Sequence, residues 1–361
     1  MIQTSPKTIG FWAGFFLFLF FLFLPATDSL SKEAIYVAAV VVLMATWWAT
    51  EAIPLPATAL LPLALFPLLG VFGDIPSKDA FQLAANPYAH ANIFLFLGGF
   101  ILALAIEKVN LHKRMALKML LLVGTDSKYL IGGFMLVSGL LSMWIFNTST
   151  TLMLLPIALA VATVVQTTTN QESILQFNNF QTALLLGIAY AATIGGMATI
   201  VGTGPNVLVV GLLLDEGIEV GFLDWMLLAT PISFIMLFIG WWLLTNVAFP
   251  TNISGTNETK KELQNMYAKL GKVSEDERRV FIIFCCTAFA WIFRKILIMV
   301  PGLEGLTDYG IAIIAALALF ITPSAKGAGL LEWSATKNLP WGILILFGGG
   351  LSIAAQIKAT G

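Results

Sequence analysis

Two polar breaks interrupt the longest uncharged stretches of this 361-residue chain. The first runs Trp144-Ile-Phe146-Asn147-Thr148-Ser-Thr-Thr151, with Ser142 just before it and Pro156 just after. The second runs Thr193-Ile-Gly195-Gly196-Met-Ala-Thr199-Ile-Val-Gly202-Thr203-Gly204-Pro205-Asn206. Between positions 129 and 214 the one charged side chain is Glu172, so an ion bound there must be held by neutral groups. Hydroxyls, amide oxygens and the carbonyls of unwound backbone suit a hard cation such as sodium, which takes oxygen ligands and needs no ionised partner. Half-helices that start at such breaks turn free N–H groups and positive dipole ends inward, which favours a carboxylate. One site can thus hold a cation and an anion together. The competing role for these residue types is packing, since Ser, Thr and Gly let membrane helices approach and add hydrogen bonds of about 0.6 kcal/mol each. That role weighs most at Ser142 and Thr199 taken singly.

Other chemistries find no residues. His90 and His112 have neither ligand spacing nor a nearby nucleophile and read as surface or interfacial positions. Cys285 and Cys286 are adjacent in an apolar run, with no disulfide framework or metal site. No nucleophile, base and orienting group are assembled, so the chain does not read as an enzyme. A net charge of -1 leaves no basic footprint for nucleic acid.

The elements that must position the breaks are membrane helices. With 58% hydrophobic and 11% charged residues, the chain excludes a soluble globular protein and a disordered one. Apolar stretches at 8–27, 34–50, 52–73, 91–106, 129–171, 173–214, 225–250, 280–303, 309–325 and 338–357 suit a bilayer core about 30 Å thick. The first, behind Lys7, reads as a retained helix rather than a cleaved leader. Glu51, after Trp47-Trp48, reads as an interfacial anchor or helix cap. One basic cluster holds Lys108, Lys113, Arg114, Lys118 and Lys128; another holds Lys260, Lys261, Lys269, Lys272, Arg278 and Arg279. Both should face the cytoplasm, and the acidic connection with Asp215, Glu216, Glu219 and Asp224 should face outside. Three apolar blocks lie between the clusters, so one must enter and return on the same side. The block at 129–171 is the candidate, its break buried in protein or beside a water-filled cavity.

Self-similarity adds a second unit. Phe96-Leu97-Gly98-Gly99 resembles Leu346-Phe347-Gly348-Gly349, 250 positions on, and Leu63-Ala64-Leu65-Phe66 recurs as Leu317-Ala318-Leu319-Phe320, 254 positions on. Duplication with broken helices is the build of a secondary transporter, its site at the interface of the repeats. The expected fold is an all-α polytopic membrane protein, an inverted-repeat secondary transporter with a re-entrant hairpin and broken helices. The counterpart of Asn147 falls beyond Gly361, so the second repeat reads as incomplete and the chain as a fragment. The expected organisation is N-terminal spans, mainly scaffold, at 1–106; a cytoplasmic interfacial helix at 107–128; the re-entrant hairpin at 129–171; and a broken helix of the transport part at 172–214. Spans with a cytoplasmic amphipathic linker at 251–279 fill 215–303, and the second repeat starts in 304–361.

Trp47-Trp48-Ala-Thr-Glu51-Ala-Ile-Pro54-Leu-Pro56, Phe94-Leu-Phe-Leu-Gly98-Gly99-Phe100, Asn147-Thr148 with Leu-Pro156, and Gly202-Thr203-Gly204-Pro205-Asn206 together resemble the divalent anion/sodium symporter family. The likeness is closest to its bacterial dicarboxylate members and runs along nearly all of the chain. It implies a homodimer in a bacterial cytoplasmic (inner) membrane, each protomer with a scaffold and a moving transport part, coupling sodium to a small dicarboxylate anion such as succinate, malate or fumarate. It also implies sodium ligands at Ser142, Asn147 and Gly202, and substrate contacts at Asn147, Thr148, Thr203 and Gly204. The family's Ser-Asn-Thr has Phe146 at its Ser position here, and Gly204 stands where Pro is usual. A sodium-independent exchanger, an anion channel and an inactive fragment stay open as alternatives.

Overall fold

The computed structural model describes residues 5–27, 30–168, 174–325 and 327–361, and Glu172 lies outside them. The Ser5 side chain caps α1 (Pro6–Leu22), whose leading proline lacks an N–H that the first turn would not use. α2 (Lys32–Thr50) starts on Ser31 and ends at Glu51, a C-cap with a left-handed φ of 47°. Prolines break the next apolar run into α3 (Leu55–Thr58) and α4 (Leu61–Leu69), before α5 (Ser77–Ala85). α6 (Ala91–Lys108) and α7 (Leu111–Leu120) follow, joined through Asn110 in the left-handed region. α8 (Ser127–Ser142) and α9 (Asn147–Thr168) flank the first polar break. α10 (Ile174–Gly196) and α11 (Gly204–Asp215) flank the second. Then come α12 (Phe222–Leu243), α13 (Asn257–Lys269), α14 (Glu275–Ile292), α15 (Arg294–Leu297), α16 (Asp308–Ile321) and α17 (Trp341–Thr360). Among the described residues there is no strand, only the isolated bridges Thr27–Leu30 and Pro323–Gly329. Among the described residues five helical stretches, Lys32–Thr50, Ala91–Lys108, Asn147–Thr167, Phe222–Ala248 and Trp341–Thr360, are long and apolar enough to cross a membrane. The chain is an all-α polytopic membrane protein.

The chain divides into two compact units. One holds residues 1–94, 208–218 and 340–361. In it α1 meets α2 through small residues: a Cβ on Gly10 would strike the Thr50 side chain, and Phe11 stacks on Trp47 with centroids 5.0 Å apart. α17 lies against Ala59, since a Cβ on Gly349 would stand 2.5 Å from the Ala59 carbonyl oxygen.

The other unit holds residues 95–207 and 219–339. There a Cβ on Gly98 of α6 would stand 2.6 Å from the backbone of Ala312 in α16. The two close approaches are counterparts under the repeat. Gly98 and Gly348-Gly349 occupy matching motifs, and Ala59 precedes the copy of the motif that recurs at 317–320.

Directions within this second unit follow from its contacts. Residues 250–253 staple the starts of α8 and α10 together: Asn179 Nδ2 donates to Pro250 O at 2.9 Å, and Ser127 N donates to Ile253 O at 3.0 Å. At the far ends Gly195 meets Gly139, where a Cβ would stand 2.1 Å from the Gly139 oxygen. α8 and α10 therefore run parallel, and α9 between them runs back as the second arm of a hairpin.

Charges gather at two places. Arg114 of α7 and Glu277 of α14 form a buried pair at 3.1 Å, and the guanidinium also donates to the carbonyls of Gly271 (3.0 Å), Leu270 (3.2 Å) and Lys272 (3.4 Å). Elsewhere in the unit Arg294 pairs with Glu219 (3.2 Å) and Asp308 (3.1 Å), and Lys295 with Asp224 (2.6 Å). The two bases that interrupt the apolar run at 280–303 thus form the start of α15 and pair with Glu219 and Asp224 of the acidic connection.

His112 corrects its expectation. It is buried rather than superficial, because α7 packs against α8 and α13, and its Nδ1 is 3.1 Å from the Ile106 carbonyl. Burial pushes its imidazole below the ordinary value, so the ring stays neutral at pH 7. His90 is half-buried.

Removing one partner of the Arg114–Glu277 pair strands a buried charge. Arg114→Met is expected to cost about 3 to 5 kcal/mol and to lower the unfolding temperature in detergent, with part of the loss recovered in Arg114→Met/Glu277→Met.

Candidate ion and substrate site

The hairpin tip is opened by two aromatic rings that leave it in different directions. Trp144 packs on Phe284 (centroids 5.1 Å apart), Phe222 (6.0 Å) and Trp291 (6.3 Å), whereas Phe146 packs edge-on against Phe100 at 5.6 Å. Residues 143–146 between these anchors are not helical, and α9 starts at Asn147, with Thr150 N donating to Phe146 O at 2.9 Å.

Opposite the tip, α10 unwinds over residues 197–203. Freed carbonyls in a membrane interior must find donors within the protein. Asn206 supplies three contacts through one nitrogen: Nδ2 donates to Thr199 O (2.8 Å), Gly196 O (3.0 Å) and Met197 O (3.4 Å). α12 supplies others, with Trp225 Nε1 donating to Met197 O (3.0 Å), Thr230 Oγ1 to Ala198 O (3.2 Å) and Ser233 to Ile194 O. Thr199 stitches the two breaks together, donating to Met143 O at 2.5 Å and accepting from Gly202 N at 3.1 Å. Its role is the packing one.

Asn147 lies where the breaks meet. With its amide nitrogen turned inward it donates to Ser142 Oγ (2.5 Å), Ala192 O (3.3 Å) and Gly202 O (3.3 Å). With its oxygen turned inward, only the Ser142 hydroxyl donates to it, at 2.5 Å, and the two carbonyls face it acceptor to acceptor. The amide oxygen and the two carbonyls then repel one another unless a cation lies among them. A Cβ on Gly196 would stand 2.6 Å from that amide oxygen, so the absence of a side chain there leaves the space open.

Ser142, Asn147 and Gly202 are therefore brought together, from the end of one helix, the start of another and an unwound segment. Thr148 is exposed on the first turn of α9. Thr203 and Gly204 adjoin Gly202 at the start of α11, and no contact joins them to Asn147 or Thr148 among the described ones. Phe146 packs its ring on Phe100. Sequence reasoning missed Ala192, whose contribution is a backbone carbonyl, and the threefold role of Asn206. It also missed Thr150, buried one turn beyond Asn147 with no partner for its hydroxyl. Among the described residues no group of His, Cys, Asp and Glu could hold a metal ion.

An all-helical membrane protein whose broken helices converge neutral oxygens is of the secondary-transporter class. The model of the sodium:sulfate symporter transmembrane region matches residues 6–361, and the chain belongs to that family. It is not an enzyme family. Among curated relatives, the sodium-dependent dicarboxylate transporter SdcS of Staphylococcus saprophyticus is 37% identical over 364 residues, covering 98% of this chain and 68% of the relative. The protein of that name from Staphylococcus aureus strain bovine RF122 is 37% identical over 367 residues, covering 99% of this chain and 69% of the relative.

Loss of Asn206 leaves several buried carbonyls without a donor. Asn206→Leu, close in volume, is expected to destabilise the protein by about 1 to 3 kcal/mol, read as a lower unfolding temperature in detergent.

Proposed function

We propose that the chain works in sodium-coupled transport of small dicarboxylates, such as succinate, malate or fumarate, across a bacterial cytoplasmic membrane. The observation that carries this reading is the meeting of Ser142, Asn147 and Gly202 around a neutral, oxygen-lined point. Sodium is a co-substrate here, held by the Ser142 hydroxyl, the Asn147 amide oxygen and the Gly202 carbonyl. Binding it selects the amide orientation that is repulsive without it. The substrate carboxylate takes the free N–H end of α9 at Asn147 and Thr148 and that of α11 at Thr203 and Gly204. The relatives' printed name, sodium-dependent dicarboxylate transporter, supports the same pairing of ion and anion.

The hairpin of α8 and α9 enters the membrane and returns to one side, and the broken helix at 172–214 belongs to the transport part. The N-terminal spans at 1–106 are mainly scaffold, and transport follows an elevator-like form of alternating access within a homodimer. Moving one charge through 100 mV is worth about 2.3 kcal/mol, so importing a dianion against an inside-negative potential of that size costs roughly 4.6 kcal/mol. At least two sodium ions must accompany each dianion to cancel that charge. A second reading, sodium-independent exchange, draws on Phe146, whose ring on Phe100 replaces a hydroxyl at the tip.

Uptake of labelled succinate into vesicles holding the protein is expected to stop when choline replaces sodium. Uptake unchanged in choline overturns sodium coupling, and counterflow without sodium supports the exchanger. Gly196→Ala, which fills the space beside Asn147, is expected to lower uptake at least tenfold at equal protein level. Ser142→Ala is expected to raise the sodium concentration for half-maximal uptake.

A further inference from the structure

α6 lies along the tip of the hairpin. A Cβ on Gly99 would stand 3.3 Å from the Val201 side chain, and Phe100 packs on Phe146 at 5.6 Å. Seven residues further, two turns along the same stripe of the helix, stands Glu107. Its half-buried carboxylate lies within reach of the Ser149 side chain. Ser149 is the third residue of α9 and follows Thr148 directly. A carboxylate carried on a different helix is therefore already placed at the helix end that the functional reading assigns to substrate. The next residue, Lys108, does not neutralise it, since its ammonium donates to Leu330 O at 3.0 Å. Among the described residues Glu107 has no ion-pair partner.

We propose that Glu107 is a specificity-determining residue of the anion site. Its fixed negative charge beside the first turn of α9 limits the charge of the anion admitted, so that dianions are taken and trianions rejected. The inference rests on the reading of the anion site given above. The positive end of α9 favours negative charge, but Glu107 already uses part of that field. Each added carboxylate on a substrate then meets one more unit of repulsion at close range. For a half-exposed group this amounts to a discrimination on the order of tenfold per added charge. An amide at the same place stays within reach of Ser149 and removes the repulsion.

The test is competition with labelled succinate uptake in vesicles, using unlabelled succinate and tricarballylate at a pH above all their carboxyl pKa values. Glu107→Gln is expected to narrow the preference for the dianion about tenfold, chiefly through tighter binding of the trianion. Glu107→Asp and Ser149→Ala, which keep the charge, are expected to hold the preference within about threefold of the unaltered protein. Glu107→Ala carries the same expectation as the glutamine variant should that variant fail to reach the membrane. A preference that neither neutral variant narrows overturns the inference and leaves the transport reading intact. An unaltered protein that carries neither anion overturns the transport reading, and the inference with it.

Discussion

Backbone that unwinds inside a membrane protein exposes carbonyls and N–H groups that water is not there to satisfy, and the second compact unit is organised around that constraint. The break at 197–203 is tolerated because donors are built around it. Asn206 reaches back to Gly196, Met197 and Thr199, while Trp225, Thr230 and Ser233 reach across from α12. Thr199 then ties this break to the hairpin tip through Met143. The carbonyls of Ala192 and Gly202 are the ones turned toward Asn147, whose amide can present either a donor or an acceptor to them.

Close approach makes this geometry possible. α8 and α10 meet through Gly139 and Gly195, a contact with no room for a Cβ, and the same sparseness at Gly196 leaves space beside Asn147. Large aromatic rings do the opposite work. Trp144, Phe222 and Trp291 hold one flank of the tip, and Phe100 with Phe146 holds another, so the four-residue turn is kept open by packing rather than by glycine. The charged anchors brace connections between helices. The Arg114–Glu277 pair braces the loop between α13 and α14 against α7, and Arg294 and Lys295 close the acidic connection.

Much of this was legible from residue types. The stretches at 34–50 and 91–106 became the helices Lys32–Thr50 and Ala91–Lys108, whereas 52–73 is cut short by prolines and 280–303 is interrupted at Phe293. Glu51 does cap a helix, and the amphipathic stretch around Leu263 is helical, with Leu263 itself buried. The expectation of an entering and returning segment came from counting basic clusters along the chain. His112 was misjudged because a lone histidine between lysines looks solvated, whereas the packing of α7 on its neighbours buries one face of that helix.

The sequence by itself determined that the chain is a helical membrane protein and that its two polar breaks lie in stretches almost free of charge. Those conclusions depend on composition, period and charge count, which are properties of the chain alone. Tertiary structure decided which oxygens face one another. Ala192 contributes only a carbonyl, Asn206 gathers its acceptors through a turn that no spacing rule encodes, and Glu107 meets Ser149 from a helix 42 positions earlier. Backbone carbonyls carry no residue signature, and a contact between distant helices is set by packing, so neither can be read before the chain is folded.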